Sequence, residues 1–267
     1  MSRHDAIGTP YQLAADEIRS FQENGFLLLP GVLDAANLAA LLEECAEVRC
    51  REKTSFEPDA SWLQNALVRD IHHRSALVRR YYFEGPLVDV AQQLIGPNIK
   101  GATSQLTFKM RGNTQSFGWH QDNGYGQLDP ANAISTLTAL DDADEENGCL
   151  WIIPGSQQRG QIDISSRLTA ESKAAGKDLS VEVTNGDEAI PLPLNAGDAI
   201  VLHCHILHRS EGNRSTERDR RILFLRYADA DAVEVYNERR PRLGPLLRGA
   251  TRFPEVAAFE RDLKFKS

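Results

Sequence analysis

The sequence has only four cysteines, Cys45, Cys50, Cys149 and Cys204, and no two of them form a C-x-x-C pair. That excludes a zinc knuckle or a disulfide framework and leaves reduced thiols acting as small apolar residues. No stretch approaches the roughly 18 consecutive apolar residues that a membrane-spanning helix requires. Basic residues are outnumbered, with 30 Lys and Arg against 38 Asp and Glu and a net charge of -8, so a broad cationic face for nucleic acid is not expected. Internal repeats and low-complexity tracts are absent, and the opening MSRHDAIGTP is polar and mixed in charge. These absences lead to the expectation of a cytoplasmic protein with a small-molecule partner, no nucleic acid and no membrane; no oligomeric state is assigned.

What is present is the mixture of a globular chain, 41% hydrophobic and 25% charged. Helical spacing of Ile18 and Phe21 ends at Gly25, a C′ stop, and FLLLPG follows as a short strand. Asp34 then stands as an N-cap before AANLAALLEECAEV, and PLVDVAQQLIG reads as a further helix. Beyond it the chain turns to short runs rich in Val, Ile, Thr, Phe and Leu. Strands are predicted at Ile99 to Met110, Ile134 to Leu140, Cys149 to Ile153, Leu179 to Val183, Ala189 to Leu194, Ala199 to Leu207 and Arg221 to Tyr227. The expected fold is therefore mainly β with flanking helices (α+β), around a jelly-roll or barrel core. We expect a single domain over 1–267: a mostly helical flank over 1–98, the core over 99–230 with a polar insertion near 157–177, and a C-terminal extension over 231–267 whose arginines form a solvated face.

GWHQDNG places His120 and Asp122 two residues apart, and residues at i and i+2 of an extended strand share a face. An imidazole and a carboxylate then converge. With a second imidazole they would give two histidines and one carboxylate on one side of an octahedral ion, the arrangement that leaves positions open on non-haem iron. AGDAIVLHCHILHRSEGN offers His203, His205 and His208 as the distant partner, and spacing alone does not choose among them.

The order His120-Gln121-Asp122, Gly197-Asp198, His208-Arg209-Ser210 with Asn213, then Arg220-Arg221 resembles the phytanoyl-CoA dioxygenase family of iron and 2-oxoglutarate oxygenases. EIRSFQENGFLLLPGVL is similar to the opening segment of that family, and ENGCLWIIPGSQQRG to its central strand and turn, except for Gln157 where members often have His. The resemblance implies a double-stranded β-helix (jelly roll, cupin-like) core, with His120, Asp122 and His208 as catalytic metal ligands. It implies Fe(2+) and O2, with 2-oxoglutarate as co-substrate and succinate and CO2 as released products. With Asp122 in place, hydroxylation is implied rather than the halogenation of relatives that have a small residue there. A guanidinium suits the distal carboxylate of 2-oxoglutarate because it binds bidentately and stays charged when desolvated. By similarity Arg220 takes that role, with Arg221 as the adjacent alternative, since strand alternation lets only one of them face inward. Thr107, Lys109 and Gln105 share one face of their strand and are expected beside the co-substrate, and Ser210 either orients it or caps a turn.

The 157–177 insertion and Asn123 to Asn132 are the expected lids, and Trp119, Tyr125 and Trp151 are expected to line the cavity. A cupin-like metal protein without oxygenase activity, and zinc-assisted hydrolysis, are the alternatives; the second gives no role to an interior arginine. On the substrate side, an acidic chain with arginines at Arg79, Arg80, Arg226 and Arg239 suits an anionic metabolite, an amino acid or a secondary-metabolite intermediate. No residue marks a CoA site.

Overall fold

The computed structural model describes residues 7–8, 10–52, 66–164, 180–183, 188–261 and 263. Among the described residues the α-helices are α1 (Ala15–Asn24), α2 (Ala35–Glu52), α3 (Ala76–Glu84), α4 (Pro86–Ile95) and α5 (Pro254–Ala258). The strands are β1 (Phe26–Leu29), β2 (Leu67–Arg69), β3 (Ile99–Lys109), β4 (Phe117–His120), β5 (Leu128–Asp129), β6 (Ala133–Ala139) and β7 (Leu150–Ile152). They continue with β8 (Ile190–Leu192), β9 (Ala199–His203), β10 (His208–Ser210), β11 (Arg220–Asp229), β12 (Val233–Glu234), β13 (Arg240–Pro241) and β14 (Leu246–Arg248).

A seven-stranded antiparallel sheet runs β1-β9-β6-β11-β3-β14, with β2 also on β3, and faces a four-stranded sheet β4-β10-β7-β8. The two sheets make the jelly roll without closing into a barrel. Alternation assigns each side chain of the large sheet to one of two cores. Leu223, Leu225 and Tyr227 of β11 join Leu106 and Phe108 of β3 against Leu41, Val78, Tyr81 and Val88 of the helices. Ile222 and Phe224, one residue out of phase, join Leu137, Ile200 and Leu202 against Leu150, Ile152 and Leu192 of the small sheet. The functional side chains lie on this second, inter-sheet face.

Helix ends follow local rules. Gly25 ends α1 in the left-handed region (φ 81°, ψ 7°) with its N–H donating to the Phe21 carbonyl. The Asp34 carboxylate accepts from the Asn37 amide at 2.8 Å. α3, not anticipated from the sequence, is capped by Ser75, whose Oγ accepts from Val78 N at 3.0 Å, and it buries Val78, Tyr81 and Tyr82 on one stripe. The Tyr81 hydroxyl meets Thr138 Oγ1 at 2.9 Å and the Tyr82 hydroxyl donates to the Arg226 carbonyl at 2.7 Å, so aromatic bulk is buried without orphaned hydroxyls.

The expected strand over Ala199 to Leu207 is corrected. β9 stops at His203, Cys204–Leu207 turns, and His208 opens β10 in the other sheet. Of the expected strand Leu179 to Val183, Leu179 lies outside the described residues and 180–183 is not a strand, although Val181 N donates to the Trp119 carbonyl at 2.7 Å. The C-terminal arginines are not simply a solvated face: Arg242 binds Glu234 at 2.7 Å and the Ala102 carbonyl, and Arg248 binds Asp89 at 3.0 Å.

Glu260 fixes the end of the described chain. Its carboxylate meets His72 Nε2 at 3.1 Å, His73 Nε2 at 2.6 Å and the Arg79 guanidinium at 3.0 Å. Burial would raise its pKa, but the bonds to His72, His73 and Arg79 outweigh burial and hold it at about 2. A carboxyl depressed on folding stabilises the fold above its ordinary value of about 4.3, and the contribution fades as pH falls towards the folded value. Glu260→Gln is therefore expected to cost about 2–3 kcal/mol at pH 7, with the gap to wild type closing between roughly pH 4.3 and 2. Urea unfolding across that range checks it; a gap undiminished at the acid end would mean that packing alone holds this segment.

Candidate metal centre

His208 opens β10 directly opposite His120, the last residue of β4, and opposite Ile152 of β7 on its other side. The β10–β4 register slips between His208 and Ser210, so that Ser210 pairs Phe117. Irregularities of this kind re-aim side chains near functional sites, and here Phe117 lies edge-on against the His120 ring at 4.3 Å. Gln121 remains extended (φ -113°, ψ 138°) before a 3₁₀ turn begins at Asp122, so the alternation anticipated for H-x-D holds across its middle residue.

The result is a tight cluster. The His120 and His208 rings are 4.1 Å apart, and their Nε2 atoms lie 3.8 and 3.6 Å from Asp122 Oδ1. Two metal–ligand bonds of about 2.1 Å span at most about 4.2 Å, so these separations suit one shared ion. His120 Nδ1 is 2.9 Å from the Gly118 carbonyl and His208 Nδ1 is 3.2 Å from the Ile206 carbonyl. A carbonyl only accepts, so each Nδ1 carries the proton and each Nε2 turns a lone pair to the cluster. Burial, then the neighbouring His208, pushes His120 down to about 3 and keeps it neutral. Burial acts to raise Asp122, but His208, His120, Arg226 and the Ser135 hydroxyl together hold it below its ordinary value. Ser135 donates to Asp122 Oδ2 in a short hydrogen bond, leaving Oδ1 on the histidine side. Two neutral imidazoles and an anionic oxygen on one side fit a divalent ion with open positions opposite.

His203 and His205 are excluded as the second imidazole. His203 Nδ1 accepts from His205 N at 3.1 Å, and its ring lies on the helix side near Phe21. His205 Nε2 is 3.2 Å from Asn123 Nδ2, and the thiol between them, pushed up to about 11 chiefly by burial, donates to the Ala131 carbonyl. The second histidine pair, His72 and His73, shares Glu260 with the Arg79 cation, an arrangement hostile to a metal ion.

The structure also separates the two arginines. Arg220 of β11 pairs Lys109 of β3 and faces the inter-sheet core, 3% exposed. It donates to the Gly148 carbonyl at 3.0 Å and weakly to Thr107 Oγ1 at 3.5 Å, its Nε has no partner, and among the described residues it meets no carboxylate. Burial lowers it to about 10. Arg221 faces the other way and is neutralised by Asp141 through bonds of 2.7 and 2.6 Å. Thr107, Lys109 and Gln105 share the inward face as expected, but the Lys109 amine is already bonded to Ser210 O at 3.1 Å, Ser210 Oγ at 2.8 Å and the Glu211 carbonyl. Lys109 and Ser210 thus form a brace under β10. Asn213 completes the brace, donating to the Lys109 and Arg218 carbonyls, both at 2.8 Å.

Other expectations change. Trp119 and Trp151 do not line the cavity: both stack on Arg209, at 5.1 and 5.3 Å, on the face of the small sheet opposite His208. The side chain of Tyr125 lies outside what the structure describes. Asn123 to Asn132 is not a free lid, because Asn123 is fully buried and β5 pairs β12. The start of the 157–177 insertion packs at the metal centre, where Gln121 bonds the Gly160 carbonyl at 2.9 Å and Ile162 N at 2.8 Å; residues 165–177 lie outside the described residues. Phe117, Ser135 and Gly148 were not singled out for the site, and no motif marks them; Arg226 was noted only as one of four arginines that suit an anionic substrate.

Comparison with known proteins agrees with this geometry. The phytanoyl-CoA dioxygenase (PhyH) family model matches residues 21–222, well over half of the chain and inclusive of every residue of the cluster. The chain is similar to phytanoyl-CoA dioxygenase domain-containing protein 1 of Mus musculus, 26% identical over 254 residues, 76% of this chain and 86% of that one. It is also similar to ectoine dioxygenase of Bordetella parapertussis, 25% identical over 272 residues, 94% and 84% of the two chains. Among solved structures, the non-haem α-ketoglutarate-dependent epimerase SnoN superposes with a TM-score of 0.70 at 21% identity, covering 88% of this chain and 98% of that one. EctD from S. alaskensis with 2-oxoglutarate and 5-hydroxyectoine superposes with a TM-score of 0.68 at 23% identity, covering 93% of each. On the strength of the matched span and the jelly-roll architecture, the chain belongs to the phytanoyl-CoA dioxygenase (PhyH) family.

Proposed function

We propose that this protein is an iron(II)- and 2-oxoglutarate-dependent dioxygenase that hydroxylates a small-molecule metabolite, working as one oxygenase domain. The observation that carries the reading is the pairing, on one inter-sheet face, of a two-histidine, one-carboxylate cluster with a buried arginine that has no acid partner among the described residues. His120, Asp122 and His208 would hold Fe(2+), and Arg220 would receive the distal carboxylate of 2-oxoglutarate. Bound there, iron(II), 2-oxoglutarate and O2 together supply an oxidant for a C–H bond, with succinate and CO2 released. Metal-assisted hydrolysis has no use for such an arginine, and a metal-binding protein without oxygenase activity has no reason to bury one.

The chain's own part is to bind, orient and exclude water. Backbone carbonyls 118 and 206 fix both imidazole tautomers, and Ser135 fixes which carboxylate oxygen Asp122 presents. Leu137, Ile222 and Phe224 keep the inter-sheet face dry, where oriented polar groups act with least screening by solvent. The spread of reactions among fold neighbours, an epimerase and a carbocyclase included, means that the architecture alone does not select the outcome. Asp122 at the carboxylate position favours hydroxylation over halogenation.

Two outcomes are expected. Arg220→Gln should raise the 2-oxoglutarate requirement for succinate release on the order of 100-fold while sparing metal affinity, and Arg221→Gln should lower stability but leave that requirement alone; unchanged co-substrate dependence in the Arg220 variant would remove the clamp. Ser135→Ala should weaken metal binding by about 10-fold or more, because it frees the outer oxygen of a ligating carboxylate. Calorimetric titration with manganese(II) reads this, and equal affinity would show that Ser135 does not orient the ligand.

A further inference from the structure

With the reading above as its basis, a count of buried charge around the metal centre leaves one cation over. Iron(II), the Asp122 carboxylate, doubly charged 2-oxoglutarate and the Arg220 guanidinium sum to zero. His120 and His208, with their Nδ1 protons on the Gly118 and Ile206 carbonyls, each offer a neutral Nε2 to the ion. Arg226 remains. It sits on the inter-sheet face of β11, in phase with Arg220, Ile222 and Phe224, and pairs Ser135, the residue that bonds Asp122. It is 9% exposed, its Nε is buried without a partner, and among the described residues it makes no ion pair. Lys109 does not restore the balance, since in either protonation state it adds nothing negative.

A buried guanidinium without an ion pair is costly, and the carboxylate whose field it feels, Asp122, is already taken up as a metal ligand. The one hydrogen bond described for the Arg226 guanidinium runs from Nη2 to Asn123 Oδ1 at 3.0 Å, a neutral acceptor. Asn123 Oδ1 also accepts from Leu128 N at 3.1 Å. With two donors on its oxygen, the amide must turn its NH2 to His205 Nε2, which therefore accepts. Asn123 thus holds the guanidinium in place without neutralising it. The other arginines noted in the sequence are accounted for differently: Arg79 is matched by Glu260 and Arg239 by Asp129, and Arg80 lies on α3, outside the sheets. Six residues of strand separate Arg226 from Arg220, roughly 20 Å, so one molecule of 2-oxoglutarate cannot serve both.

We propose that Arg226 is the anchor for an oxyanion on the substrate, a carboxylate or a phosphonate, which makes the substrate of this enzyme an anionic small molecule. Docking such a group beside Asn123, next to the metal ligand Asp122, would neutralise the remaining cation and place the rest of the substrate over the open side of the metal centre. Arg226 is then a specificity-determining residue, separate in role from the co-substrate clamp.

The test uses the full chain loaded with manganese(II) and 2-oxoglutarate, and calorimetric titration with probes that differ in charge: butyrate, methylphosphonate and the neutral butyramide. Butyrate or methylphosphonate should bind at least tenfold more tightly than butyramide without raising the dissociation constant of 2-oxoglutarate. Arg226→Gln should remove that preference, and Arg226→Lys, which keeps the charge, should retain part of it. Comparing the two anions tells a carboxylate site from a phosphonate site. Butyramide binding as well as butyrate, anion preference surviving in Arg226→Gln, or anions competing with 2-oxoglutarate would each overturn the proposal. If the glutamine variant does not fold, the wild-type comparison of butyrate with butyramide still decides. Failure of 2-oxoglutarate itself to bind the manganese-loaded wild type would instead bring down the dioxygenase reading, so the two failures are distinguishable.

Discussion

The pairing of His208 with His120 across the β10–β4 ladder is the constraint on which the rest of the site depends. β10 is only three residues long, and a slip of one residue would send Arg209 into the inter-sheet space and His208 outward. Three features pin the register. On one side β10 pairs β7 at Ile152, Trp151 and Leu150; at its end Lys109 grips the Ser210 and Glu211 carbonyls; and beyond it Asn213 ties the following loop to the end of β3. Lys109 and Asn213 are therefore positioning residues for a histidine neither touches. Burying an amine and an amide against backbone carbonyls satisfies oxygens that would otherwise be orphaned where the strand ends.

Much of this was legible because it is local. Gly25 and Asp34 carry the signals for the ends of α1 and α2, H-x-D converges by alternation through an extended Gln121, and β3 and β11 are long enough for their composition to declare them. What was not legible is set between distant segments. Parity could not choose among His203, His205 and His208, because that argument assumes one regular strand, whereas Cys204–Leu207 turns and hands the chain from one sheet to the other. The adjacent Arg220 and Arg221 are equivalent by composition, and only the position of Asp141 across the fold shows which one is already neutralised. Trp119 and Trp151 read as cavity residues by type, yet they lie one position out of phase with His120 and Ile152 and stack on Arg209 instead. Helix α3 was missed because its stripe of Val78, Tyr81 and Tyr82 is interrupted by Arg79 and Arg80 and is rich in residues that favour strands.

The same alternation that sorts the two cores also sorts the charges. Arg220 and Arg226 face the inter-sheet core; Arg221, between them in sequence, faces the helices and has an acid. A chain with a net charge of -8 thus holds on its inter-sheet face two guanidiniums that, among the described residues, make no ion pair, while Arg221 on the opposite face is neutralised, the reverse of what solubility or stability alone would select. Buried cations without acids are informative when neutral acceptors are arranged to hold them, and here they are: Gly148 offers its backbone carbonyl to Arg220, and Asn123 offers its side-chain oxygen to Arg226. Both acceptors are neutral, so each orients a guanidinium without cancelling its field. In the proposed roles, one strand would present two anion sites about 20 Å apart, flanking a cluster whose own carboxylate is held low by His208 and His120 and, after them, by Arg226. That spacing would let co-substrate and substrate be recognised by the same chemistry without competing, because the two arginines stand six residues apart on β11.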